Sequence, residues 1–220
     1  NKRYYWIFFV ITVIAFSALA SVNATDGYRR VDLLIDKGVS IELPNNWIIL
    51  SNRERSDLQA FVNSKKDSAS PDHAILDSPF FAVFKRNSLI VGIAQAFNND
   101  INATQNYLRK LTKQDIAEMN TALKKGIVDD AAIAKSHVLS WEGTNKETIN
   151  GVTALVSRYR LKDESGAVKN TCLINVLNGE RSFALNVIYL EGEQQYLEPA
   201  TYKIINSLKL SGISDATVDN

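Results

Sequence analysis

The strongest constraint on this chain is a pair of segments that are apolar on both of their alternating faces. In residues 182–190 one face carries Phe183, Leu185, Val187 and Tyr189. The other carries Ala184, Ile188 and Leu190, with Asn186 as its polar member. In residues 168–177 Cys172, Ile174 and Val176 alternate with Leu173 and Leu177. An antiparallel strand with one wet face shows polar residues at every second position. These strands do not, so the sheet they build needs a cover above and below. Amphipathic helices are the covers the sequence offers. The expected class is α+β: an antiparallel sheet of about six or more strands sandwiched between helices, an α/β/α arrangement.

The rest of the chain fits that plan. Val39, Ile41 and Leu43 alternate with Ser40 and Glu42 as a strand, Pro44-Asn45-Asn46 turns, and Trp47–Leu50 is a second strand. Residues 53–63 suit a short helix and 64–79 an exposed loop. Strands at 80–85 and 89–97 flank a turn at Arg86-Asn87-Ser88. Residues 104–125 read as the longest helix, ended by Gly126. Its apolar stripe holds Leu108, Leu111, Ile116, Met119 and Leu123. Turn signals at Asn150-Gly151, Ser165-Gly166 and Asn178-Gly179 then divide a meander into strands near 136–149, 152–162, 168–177 and 182–190. A last amphipathic helix is expected near 195–208. The domain plan is a leader at 1–24, a linker at 25–38, one domain at 39–210 and a polar tail at 211–220.

The leader determines location. Lys2 and Arg3 precede an apolar run from Tyr4 to Ala20, and small residues at Ala18/Ala20 and Val22/Ala24 offer cleavage points after Ala20 or Ala24. Cleaved, it is a signal peptide; retained, it is an N-terminal anchor of marginal length. Either way the domain is expected on the extracytoplasmic side, periplasmic or secreted, and it meets a membrane only through an uncleaved leader.

The segment Val39-Ser40-Ile41-Glu42-Leu43-Pro44-Asn45-Asn46-Trp47, with Ile204-Ile205-Asn206-Ser207-Leu208-Lys209-Leu210 near the end, resembles the opening strand and closing helix of the PsbP-like superfamily. That group also includes the Mog-type Ran-binding proteins and bacterial exported proteins. The likeness spans about 39–210. It implies an antiparallel sheet between helices and an accessory or binding role rather than catalysis. No metal-binding or Ran-binding residues of the family map onto this chain by position.

The chemistry-bearing residues are few. The net charge is +1, and removing Lys2 and Arg3 leaves about −1, so nucleic acid is not an expected partner. The one cysteine, Cys172, alternates with Ile174 and Val176 and reads as a small buried residue rather than a thiolate nucleophile. His73 and His137 stand apart without a ligand spacing, so neither a metal nor another cofactor is expected. Asp129-Asp130 follow the expected helix without a calcium-loop pattern. Three residues are candidate binding positions. Asp115 falls inside the apolar stripe of 104–125 by helical angle, where a carboxylate must be hydrogen-bonded, face a cleft or mark a bend. Asn175 and Asn186 share the second sheet face, where a polar pair can line a pocket. The expected function is an exported, non-catalytic binding or accessory protein contacting another envelope protein or complex, or a small ligand. The alternatives are a secreted hydrolase using Asp115, or Asp129 and Asp130, and a membrane-tethered subunit of an envelope complex.

Overall fold

The computed structural model describes residues 27–33, 38–64, 74–99 and 101–211. The segment expected as a leader (1–24), His73 and residues beyond 211 lie outside them. In chain order the described elements are β1 (Tyr28–Asp32), β2 (Val39–Pro44), β3 (Ile48–Ile49), α1 (Asn52–Ser64), α2 (Ala74–Asp77), β4 (Phe80–Arg86) and β5 (Leu89–Asn98). Then come α3 (Gln105–Lys110), α4 (Lys113–Ile133), β6 (His137–Ile149), β7 (Val152–Lys162), β8 (Val168–Val176), β9 (Phe183–Leu190), α5 (Gln194–Asn206) and β10 (Lys209–Leu210).

Seven strands form one antiparallel sheet in the order β3-β4-β5-β9-β8-β7-β6. The chain builds its two halves as separate meanders and joins them where β5 pairs with β9, Gly92 opposite Tyr189 through Asn98 opposite Phe183. The sheet is covered on both faces, as its doubly apolar strands require. One cover differs from expectation. Strand β2 does not join the large sheet but forms a second, three-stranded sheet, β1-β2-β10. Val39, Ile41 and Leu43 of β2 pack with Leu197, Ile204 and Ile205 of α5 against Val156, Ile174, Leu185 and Val187 in one continuous core. Residues 28–32, inside the stretch expected as a linker, are thus a strand. Leu210, expected in the closing helix, is strand as well, because β10 finds a partner in β2.

On the opposite face lie α1, α2, α3 and α4. The helix expected over 104–125 is two helices. Leu111 caps the end of α3 and Thr112 the start of α4: the Thr112 hydroxyl accepts from Asp115 N while the Asp115 carboxylate accepts from Thr112 N at 2.7 Å. Gly126 does not end α4, which runs on to Ile133. A mid-helix glycine costs about 1 kcal/mol. Burial of Ile127 and Ala131 against Tyr159, Leu161 and Leu173 outweighs it. A bulge at Trp141/Gly143 fixes α4 to β6. Gly143 takes φ +107, which an L side chain rarely adopts, and the Asn120 side-chain oxygen accepts both Trp141 Nε1–H and Thr144 N–H at 2.8 Å.

Trp47 of the opening motif and Leu197 of α5 meet on Gly92 in β5. A Cβ there would lie 3.2–3.3 Å from Leu197, Phe84 and Trp47. Trp47 itself is buried and stacks on Phe84 with ring centroids 6.2 Å apart. Gly92→Val therefore overfills this contact and should lower stability by about 1–3 kcal/mol. Urea unfolding measures it, and a midpoint equal to wild type would refute the close approach.

Candidate functional site

The two faces of the large sheet are packed differently. Beneath α5 and β2 the apolar residues form one cluster. Beneath α1–α4 they form three: one around Ile75, Phe81, Ile93 and Ile188, one around Ile127, Tyr159, Leu173 and Ala184, and one around Leu108, Leu155 and Leu177. Where the three meet, the sheet is polar. Gln95 of β5 stands opposite Asn186 of β9, and Asn186 stands opposite Leu173 of β8. Asn175 and Thr171 lie two residues to either side of Leu173. All four therefore share one face, with opposed pairs about 5 Å and diagonal neighbours about 7–8 Å apart at Cβ. Asn186 sits between Ile188 of the first cluster and Ala184 of the second, and Asn175 between Leu173 of the second and Leu177 of the third.

These side chains are buried, and five of their polar atoms have no protein partner. Gln95 is 0% exposed, and neither its Nε2 nor its Oε1 makes a hydrogen bond. Asn186 Oδ1, Asn175 Nδ2 and Thr171 Oγ1 are likewise buried without one. Asn175 Oδ1 accepts a long bond, 3.5 Å, from Asn99. The contrast with Gln105 is direct. That amide is also 0% exposed, yet it donates to Thr153 O and Leu177 O at 2.9 and 2.8 Å and accepts from Thr153 N at 2.7 Å. A buried polar atom without a partner costs about 1–3 kcal/mol. A fold that satisfies Gln105 completely and leaves the Gln95 amide bare has concentrated unmet donors and acceptors in one place.

Asp130 of α4 lies close enough to Tyr159, which stands opposite Thr171 across the β7–β8 pairing, to act on its phenol. Its Oδ2 is buried without a hydrogen bond. Burial, and secondarily the neighbouring Asp129, push its carboxyl up to about 6. Its field helps burial to raise the Tyr159 phenol, whose ring stacks on Trp141 with centroids 5.4 Å apart.

Of the three residues singled out in the sequence, the structure brings two together. Asn175 and Asn186 share the polar row. Asp115 does not reach it: its carboxylate closes the capping box of α4, and those hydrogen bonds from Thr112 hold its pKa below the usual value. It had fallen inside the apolar stripe because the angular reckoning ran across the break at Leu111–Thr112. Asp129 is exposed and paired with Lys125. Cys172 is buried on the other face, and burial pushes its thiol up to about 12. His137 opens β6 at the surface. Gln95 and Thr171 were missed. The available signal was Gln95 as the one polar residue in the run Ile90–Phe97. Among the described residues no cluster of three or more His, Cys, Asp or Glu side chains suits a metal ion, and no helix is long and apolar enough to cross a membrane.

No family model and no curated protein matches the chain. Solved structures do. The solution structure of cyanobacterial PsbP (CyanoP) from Synechocystis sp. PCC 6803 superposes with a TM-score of 0.53 at 12% identity, covering 88% of this chain and 97% of that one. The fold is PsbP-like. At such identity the likeness is one of backbone alone. LpqN, described as involved in cell envelope biogenesis of Mycobacterium tuberculosis, matches at 15% identity and a TM-score of 0.42, over 84% of this chain and 91% of that one. A protein of unknown function from Pseudomonas aeruginosa, PA94, a putative regulator by its description, matches at 10% and 0.34, over 86% and 99%. At those scores the backbones diverge too far to bear on the site. Within the PsbP-like frame the polar row occupies the centre of the sheet, on the face held by α1–α4.

Asp130 of α4 gives the protein a pH signature. Its pKa is higher in the folded than in the unfolded chain, so its contribution to stability is complete below about 3.8 and disappears as pH rises through about 6. Asp130→Asn should therefore be the more stable protein at pH 7.5, by about 1 kcal/mol once solvent screening of a half-buried group is allowed for. The gap should close toward pH 4. Melting curves across that range check it, and a pH-independent gap would show that burial does not raise Asp130.

Proposed function

We propose that this protein is a non-catalytic binding protein of the cell envelope that holds a small polyhydroxylated compound on the Gln95–Asn186 row. One observation carries the reading: five buried side-chain atoms without a protein partner, on Gln95, Asn186, Asn175 and Thr171, lie side by side at the meeting point of three apolar clusters. They comprise donors and acceptors in similar number. Hydroxyl groups donate and accept at once, so a polyol or sugar fragment meets such a set better than a purely anionic or apolar molecule does. The apolar clusters under α1 and α4 are separate, so those helices can part without tearing a shared core.

The leader-like residues 1–24 support an extracytoplasmic setting. The PsbP-like fold supports an accessory role, in which ligand occupancy stabilises α1–α4 and so the surface they offer to an envelope partner.

Two measurements on one variant test the site. Gln95→Leu removes two unmet polar atoms and should stabilise the ligand-free protein by about 1–2 kcal/mol. It should also abolish binding. In wild type, at least one member of a panel of polyols and monosaccharides should shift the side-chain amide NMR signals of Gln95, Asn175 and Asn186 in a saturable manner. A panel that shifts none of them, or a Gln95→Leu protein that is less stable than wild type, would overturn the reading and leave the row as an internally hydrated part of the core.

A further inference from the structure

A second polar site lies on the other face of the large sheet, under α5 from Gln194 to Ile205. There a cleft of about 110 Å³ opens between α5 and strands β6–β9. Its floor includes Tyr189 of β9 and its walls include Glu142 of β6 and Glu198 and Thr201 of α5. It lies across the sheet from the Gln95–Asn186 row, because Tyr189 and Asn186 alternate on β9 to opposite faces, although Thr171 of β8 borders both.

The charges in the cleft do not cancel. Two arginines line it, but each already has its own carboxylate outside the lining. Arg158 is gripped by both oxygens of Glu147 at 2.6 and 3.3 Å, and Arg160 pairs with Glu191. Glu142 makes no ion pair among the described residues, and Glu198 accepts one bond, from Gln194 at 3.2 Å. Two carboxylates thus line the cleft without an ion-pair partner of their own among the described residues. Both act on the same point: after burial, Glu198 and then Glu142 are among the charges that push the Tyr189 phenol up to about 12. The second observation is Thr201. It is 7% exposed, lines the cleft, and its buried Oγ1 has no hydrogen-bond partner. In a helix that hydroxyl ordinarily donates to the carbonyl four residues back. Here it is left as a free acceptor.

We infer that this cleft binds an alkylammonium group, with Glu142 and Glu198 as its counter-ions, Thr201 as a third acceptor and the Tyr189 and Tyr202 rings along its stem. The volume suits that class: about 150 Å³ takes a benzene ring, and a cleft somewhat smaller takes an ammonium head with a few methylenes. Three acceptors match the three protons of a primary ammonium, whereas a guanidinium presents five in a planar fork. An inorganic metal ion is the poorer match: the two carboxylates sit on separate elements, no histidine lines the cleft, and burial holds the lining Cys172 thiol protonated, its pKa pushed up to about 12. The ammonium belongs either to a lysine side chain of a partner protein or to a free amine, and the chemistry is shared.

NMR titration of the full-length protein with n-butylammonium tests this. Saturable shifts of the Tyr189 and Tyr202 ring signals are expected, with none from 1-butanol, which lacks the charge. The double variant Glu142→Gln, Glu198→Gln should melt at the wild-type temperature and bind about tenfold or more weakly. Blocked lysine (Nα-acetyl-lysine methylamide) binding more tightly than spermidine assigns a protein side chain as the natural occupant; the reverse order assigns a free polyamine. The inference is overturned if no ammonium probe gives saturable shifts, if 1-butanol shifts the rings equally, or if the double variant binds as wild type does.

Discussion

A sheet whose strands are apolar on both sides cannot exist in water until both sides are covered, and every other element of this protein is placed by that requirement. Strand β9 shows it most plainly. Leu185 and Val187 look into the core under α5 and β2, while Ala184 and Ile188 look into the layer under α1–α4. Neither meander closes a core alone. The β5–β9 pairing makes them one sheet and lets a single set of covers serve both. The covers are unequal in kind. One is a helix and a small second sheet that together fill their face without interruption. The other is a group of helices, each with its own apolar footprint.

That inequality produces the candidate site. Interiors pack at near-crystalline density, and a continuous core has no room for bare amides. A layer made of three footprints has seams, and at the seam between them the sheet carries Gln95, Asn186, Asn175 and Thr171. The seam need not have been polar. Gln105 shows that this fold can bury an amide and satisfy it fully, and Gln59 does the same through Ile75 N at 2.8 Å and Asn63 at 3.1 Å. Against those two, the Gln95 side chain is an exception that the packing did not force.

Much of the fold was legible because its signals are local. The hairpin at Asn150-Gly151 has both residues at positive φ, 49° and 81°, the geometry that this dipeptide favours. The strands β6–β9 follow from turns of that kind and from alternation. The break at Leu111–Thr112 was also present in the sequence, as a Thr-x-x-Asp capping box, but a continuous apolar stripe masked it. Strands β1 and β10 were not legible. Two or five residues carry no periodicity worth reading, and these become strands because β2 offers them an edge.

The site divides in the same way. Asn175 and Asn186 could be singled out from the sequence, since each interrupts an apolar strand face and alternation alone puts them on the same side. Gln95 could not be joined to them, because nothing within ninety residues of sequence says which strand β5 will pair with or in what register. The sequence by itself determined that there would be a doubly covered antiparallel sheet and that it would carry polar residues inside. Only the tertiary structure decided that those residues would be neighbours and that their amides would lack partners. Propensity and alternation act over a few residues, whereas register and the meeting of helix footprints are settled by the packing of the whole chain.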